Sequence, residues 1–170
     1  MRTKYIWVTV FSVTGLLLAS CGSTGSTTTS ASASGSGGIA LGSGVKLGTE
    51  SNSFGQVLAL SSGATLYAFV PDSASVTTCA GACQSVWFPV SSVHIVVGPA
   101  IERSRVGSHS RSNGIEQLSY NGYLLYTYAG DTKPGATTGQ NLDSFGGRWY
   151  VVGVDGKLVT GAAAKTSYGY

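Results

Sequence analysis

Charge is scarce in this chain, with 10 Lys+Arg and 7 Asp+Glu among 170 residues. No run of Lys or Arg of the kind that holds a phosphate backbone is present, which excludes nucleic acid as a partner. The one basic cluster, Arg103, Arg105 and Arg111 with His109 between them, reads as a solvated loop. Histidine is limited to His94 and His109. Neither sits in a nucleophile motif, and a structural zinc wants four ligands at recognisable spacing. The acids Glu50, Asp72, Glu102, Glu116, Asp131, Asp143 and Asp155 are scattered, mostly at turns, so no pair for acid–base work stands out. Glycines 42–48 lack P-loop spacing. The chain therefore reads as a non-enzyme with no resident cofactor and no metal set. Helix formers such as Glu, Lys and Gln are also few, and no ten-residue stretch beyond the N-terminal segment has a 3.6-residue apolar period.

What is present begins with an address. Arg2 and Lys4 precede an apolar run from Tyr5 to Ala19. At about 15 residues it is short of the roughly 20 a membrane span needs, and it suits a secretory signal. Its end, Leu18-Ala19-Ser20-Cys21, resembles a bacterial lipobox: a branched apolar residue, two small ones, then the cysteine whose sulfur takes the lipid. Residues 1–20 are read as a lipoprotein signal peptide. Cys21 is then a lipidated N-terminus, anchored stably because it carries more than one acyl chain. Residues 22–44 are Gly, Ser, Thr and Ala almost without charge. They cannot bury enough apolar area to offset ordering, and they read as a flexible tether of roughly 25 Å reach. With Arg2 and Lys4 removed, eight basic side chains face seven acidic ones, so much of the formal +3 belongs to the signal.

Residues 45–170 suffice for one domain with its own core. Short β-rich runs punctuate it: VLAL (57–60), TLYAFV (65–70), VWFPV (86–90), HIVV (94–97), IEQLSY (115–120), YLLYTY (123–128), RWYVVGV (148–154) and KLVT (157–160). Between them lie turn residues, with Asn121-Gly122 and Asp155-Gly156 the strongest hairpin signals. The spacing predicts an all-β, antiparallel domain.

The domain is also repetitive. At an offset of 59, Gly55 falls on Gly114, Gly63 on Gly122, Tyr67 on Tyr126, Phe69 on Tyr128 and Asp72 on Asp131; Trp87 falls on Trp149 at 62. Two pseudo-symmetric repeats, about 55–97 and 114–160, of three to four strands each are expected to face one another. They would share one core, as a sandwich or barrel-like body. Strand alternation puts Tyr67 and Phe69 on one side, Leu66, Ala68 and Val70 on the other. The four motif rings, with Trp87 and Trp149, are read as core; an aromatic-lined groove for a sugar, quinone or porphyrin is the alternative. Asp72 and Asp131 end strands and open loops. There they accept backbone N–H bonds in a turn or cap. Cys79 and Cys83, separated by the small Ala80-Gly81-Ala82, are read as an extracytoplasmic disulfide, with a redox-active pair as the alternative.

The order GATLYAFVPD, CAGAC, VWFPV, then RSNGIEQLSYNGYLLYTYAGD and GGRWYVV resembles the bacterial secreted-repeat lipoproteins of unknown function, with their pattern Tyr-x-aromatic-x-x-Asp. The likeness covers roughly residues 48–154. The chain has Leu124, Asn113 and Phe88 where that family usually has Pro, Asp and Pro. The resemblance implies a surface lipoprotein with tandem repeats and brings no activity. The expected function is therefore a non-catalytic binding or structural module. It would be lipid-anchored through Cys21 on the extracytoplasmic face of a bacterial membrane, with an unknown envelope protein or small ligand as partner. Two alternatives stay open. One is a redox or electron-transfer accessory using Cys79/Cys83 or a bound haem or metal. The other is a protein that binds or hydrolyses cell-wall carbohydrate.

Overall fold

A computed structural model describes residues 44–162. The signal segment, Cys21, most of the tether and residues 163–170 lie outside the described residues. Eleven strands follow one another: β1 (Lys46–Asn52), β2 (Gly55–Leu60), β3 (Tyr67–Phe69), β4 (Trp87–Pro89), β5 (Val96–Val97), β6 (Val106–Ser110), β7 (Glu116–Tyr120), β8 (Tyr123–Leu124), β9 (Tyr126–Tyr128), β10 (Asp143–Ser144) and β11 (Gly147–Val151). Two short 3-10 turns, Gly81–Ser85 and Arg103–Arg105, are the helical content of the described residues. The fold is all-β with antiparallel pairing throughout, save the short parallel pair β1–β5.

The two repeats do not stack as separate sheets. They interleave in one, ordered β10-β11-β3-β9-β4. The Tyr strands β3 and β9 meet at the centre, with Tyr67 opposite Tyr126. A residue facing its own repeat counterpart across an antiparallel pair places the pseudo-two-fold axis between them. Each Trp strand then pairs with the Tyr strand of the other repeat. In β11, Trp149 faces Phe69; in β4, Trp87 faces Tyr128.

The outer hairpins β1–β2 and β6–β7 are also equivalent, and both close onto this sheet by the same three-way exchange. Leu58 N–H donates to Val152 O, Val152 N–H to Leu66 O and Leu66 N–H to Leu58 O; Leu118, Val90 and Leu125 repeat the cycle. Each cycle takes two members from one repeat and the third from the residue just past the other's Trp strand. Leu58 matches Leu118 at an offset of 60 because the turn after β2 holds one more residue than the Asn121-Gly122 turn. Both turn residues there have positive φ, 50° and 83°, as a tight two-residue hairpin requires.

Alternation along β3 divides the interior into two clusters, one on each face of the sheet. Leu66, Ala68, Leu118, Leu125 and Val152 build one that is aliphatic apart from Tyr120 and Tyr123. Tyr67, Phe69, Trp87, Tyr126 and Trp149 build an aromatic one with the two cysteines. The exception is Val70, half exposed where β3 ends.

Candidate functional site

The motif residues converge at the pseudo-two-fold axis, and they do so crosswise. The Tyr67 hydroxyl donates to Asp131 Oδ2 at 2.6 Å, and the Tyr126 hydroxyl donates to Asp72 Oδ2. Each repeat's tyrosine is thus held by the other repeat's aspartate. The second oxygen of each carboxylate closes its own loop. Asp72 Oδ1 accepts Thr78 N–H at 2.6 Å and Thr78 Oγ1 at 2.8 Å; Asp131 Oδ1 accepts Thr138 N–H at 2.8 Å and Thr138 Oγ1 at 2.6 Å. Sequence reading expects a local turn at each Asp. Each does accept a backbone N–H of its own loop, but from a threonine six or seven residues on, and its other oxygen is bonded across the repeats. Thr78 and Thr138 had a legible signal, since each stands six or seven residues past a motif Asp.

Burial and the facing carboxylate act together on the phenols. Loss of solvent, then the hydrogen bond to Asp72, push Tyr126 up to about 12. The same causes in the same order, with Asp131 as partner, push Tyr67 higher still.

Between the tyrosines lies a column of rings. Tyr128 stacks on Trp87 at 4.3 Å, Trp87 on Trp149 at 3.8 Å with planes 1° apart, and Trp149 on Phe69 at 4.3 Å. Tyr67 meets Trp87 edge-on at 5.3 Å and Tyr126 meets Trp149 edge-on at 5.1 Å. Backbone without side chains lets the chain cross over the column. A Cβ at Gly139 would stand 2.7 Å from Trp87 and 3.1 Å from Tyr67. All of these rings except Tyr128 are buried, so they fill the interior and do not line a groove.

Arg111 departs from its expected solvated loop. It is only 5% exposed, because the strand β6 that ends beside it carries it under the disulfide loop. Its guanidinium donates to Gln117 Oε1 at 2.5 Å, to the Tyr126 hydroxyl at 3.1 Å and to the Cys79 carbonyl. Tyr126 therefore links a buried cation to the Asp72 carboxylate. The position matching Arg111 at the offset of 59 is Asn52. Its Nδ2 is buried without a hydrogen-bond partner among the described residues. Arg103 does lie exposed, while Arg105 is part-buried and pairs with Glu102 at 2.6 Å.

Cys79 and Cys83 form a disulfide with Cα atoms 5.3 Å apart, packed against the aromatic cluster. His109 Nδ1 lies 2.9 Å from the Ala74 carbonyl, while His94 occupies a positive-φ turn, and no three His, Cys, Asp or Glu side chains gather among the described residues. Cys21 lies outside the described residues. Also among these residues, no helix is long and apolar enough to cross a membrane.

On the surface, a groove of about 520 Å³ runs between β1 and the Gly98–Ala100 turn. Lys46 and Glu50 contribute its charges, Thr49, Ser61 and Ser62 its hydroxyls, and Pro99 and Pro134 apolar walls.

Nothing among curated proteins or solved structures matches the chain. A family model described as a secreted repeat of unknown function matches twice, over residues 48–91 and 107–153. Both matches end one residue past the cyclic contacts at Val90 and Val152, so each covers one structural repeat. The chain belongs to this family of secreted repeats.

Proposed function

We propose that this is a lipid-tethered protein of the bacterial cell envelope whose β-domain works by binding, not by catalysis. The observation that carries the binding reading is the groove beside β1. Its volume falls within the range of small-ligand and side-chain sites, and it combines apolar walls with a few polar groups. The motif side chains support the same reading from the other direction. Asp72 and Asp131 each accept three hydrogen bonds from within the fold, which leaves neither free to act as an acid or base on a substrate. Of the six motif rings, all but Tyr128 are inside, where they cannot stack on a cell-wall sugar. The anchor rests on the Leu18–Cys21 sequence and the uncharged segment that follows it.

Two experiments address the two halves of this proposal. Cys21→Ala is expected to move the protein from the membrane to the soluble fraction; retention on the membrane removes the anchor. Crosslinking in intact cells is expected to capture an envelope component that is lost in Ala100→Trp and in Ser62→Trp. Both positions are exposed, on opposite sides of the groove, so the melting temperature should not change. Undiminished capture in both variants would remove the groove from the proposal.

A further inference from the structure

The six motif rings and the two carboxylates make an arrangement that packing alone does not require. Aromatic pairs prefer offset or edge-on contacts, because face-to-face stacking sets like quadrupoles against each other. Here two indoles lie 3.8 Å apart with planes 1° apart. Burying a carboxylate is costly too, yet Asp72, 9% exposed, sits on a buried phenol.

We propose that the column is a relay for one-electron oxidation, which draws an electron vacancy from the surface and holds it as a tyrosyl radical inside the domain. This goes beyond the binding role and is independent of both the anchor and the groove.

The entrance is Tyr128, the part-exposed ring at one end. Its counterpart at the other end is Phe69, which is buried and, having no hydroxyl, is hard to oxidise. Between them every step is a ring-to-ring contact: Tyr128 to Trp87, Trp87 to Trp149, and from each indole to an edge-on tyrosine. An oxidised indole is a strong N–H acid that stops the vacancy if a base can take its proton. Neither indole has such a base. Trp87 Nε1 is buried without a partner among the described residues, and Trp149 Nε1 meets only the Ser144 carbonyl, at 3.3 Å. The vacancy therefore stays mobile until it reaches a phenol that can release its proton. Tyr67 and Tyr126 can, because each already donates that proton to a carboxylate.

The step balances with an organic peroxyl radical as oxidant, a class that oxidised lipid supplies. The peroxyl takes one electron from the column and one proton from water and leaves as a hydroperoxide. Tyr67 refills the column with one electron. Its O–H bond breaks, the proton passes along the 2.6 Å hydrogen bond to Asp131, and a neutral tyrosyl radical remains beside a protonated carboxyl. Tyr126 and Asp72 offer the same step in the other half.

The test uses photogenerated tris(bipyridine)ruthenium(III) as a one-electron oxidant on the folded protein, with freeze-quench electron paramagnetic resonance as the readout. A tyrosyl signal is expected in the parent chain. Tyr67→Phe combined with Tyr126→Phe should remove the part of it that belongs to these two rings and leave a tryptophan radical in its place, since the rings stay while the transferable protons go. Asp131→Asn should weaken the Tyr67 share of the signal. Tyr128→Phe should lower the yield of all internal radicals. Near-ultraviolet circular dichroism of the stacked indoles reports whether each variant keeps the column. If the double variant loses it, the two single Phe variants should each remove part of the tyrosyl signal. A tyrosyl signal undiminished in the Phe variants, or no protein radical at all, would overturn the relay.

Discussion

Asp72 and Asp131 occupy equivalent positions but not equivalent surroundings. Asp72 is nearly buried, and through the Tyr126 hydroxyl it faces Arg111; Asp131 is part-exposed and faces Tyr67 without a cation. Deleting a buried acceptor leaves its donors unmade, at about 1–3 kcal/mol for each neutral group and more where a charge loses compensation. Asp72→Ala should therefore cost about 4 kcal/mol and Asp131→Ala about 2 kcal/mol in urea unfolding. Equal losses would mean that Arg111 takes no part. The sequence carried half of this site openly. Tyr, aromatic ring and Asp recur at fixed spacing because each repeat must supply both a donor and an acceptor. What it hid was the exchange of partners. Tyr67 and Asp72 are five residues apart and look like a local pair, yet the bond runs from Tyr67 to Asp131, and no local pattern encodes a contact over 64 positions. Arg111 was illegible for a related reason. Its neighbours are Ser, Asn and Gly, which read as loop, and the group that covers it is the disulfide loop far away in sequence.

Among the elements, the strands rich in Val, Leu, Tyr and Trp are the ones that alternation and turn residues reveal, and β2, β3, β4, β7, β9 and β11 lie within the runs read from sequence, give or take a residue or two. β1 and β6, KLGTESN and VGSHS, were not visible. They are largely polar partners whose position follows from the hairpin they complete, β1 between β2 and β5 and β6 at an edge, and β10 is only two residues long. The long segment between β3 and β4 has only a short 3-10 turn for regular structure, and there the disulfide does its structural service. Closing so short a loop stabilises by roughly 2 kcal/mol in the chain-entropy model. Two further contacts depend on that loop: Arg111 with the Cys79 carbonyl, and Gln84 Nε2 with the same oxygen at 3.3 Å. Replacing both cysteines by serine should lower stability by about 2–3 kcal/mol in the same urea assay and shorten the half-life toward protease between β3 and β4. The second repeat has no such bridge, so its equivalent loop, closed by Asp131 and Thr138 alone, should be cut no faster in the variant than in the parent.

At the scale of the whole molecule, interleaving makes the halves interdependent. Neither repeat contains a complete central sheet: β3 lacks its partner without β11, and β4 lacks its partner without β9. The two cyclic contacts at Leu58–Val152–Leu66 and Leu118–Val90–Leu125 also cross between repeats. Unfolding should be a single transition, with the stacked indoles and the backbone lost together. The buried tyrosines set its dependence on pH. A phenol titrates near 10 in an unfolded chain. Tyr126 is pushed up to about 12 and Tyr67 further, so the folded state keeps protons that the unfolded state releases. Protons bound by the native state favour it only while the unfolded state also holds them or regains them cheaply. The stabilisation is therefore complete below about pH 10 and declines as the pH climbs through 12. Near- and far-ultraviolet circular dichroism should report the same alkaline midpoint. Removing the hydroxyls with Tyr67→Phe and Tyr126→Phe should flatten that decline. Two separate alkaline midpoints would mean that one repeat survives without the other, and the interleaved sheet would not describe the molecule in solution.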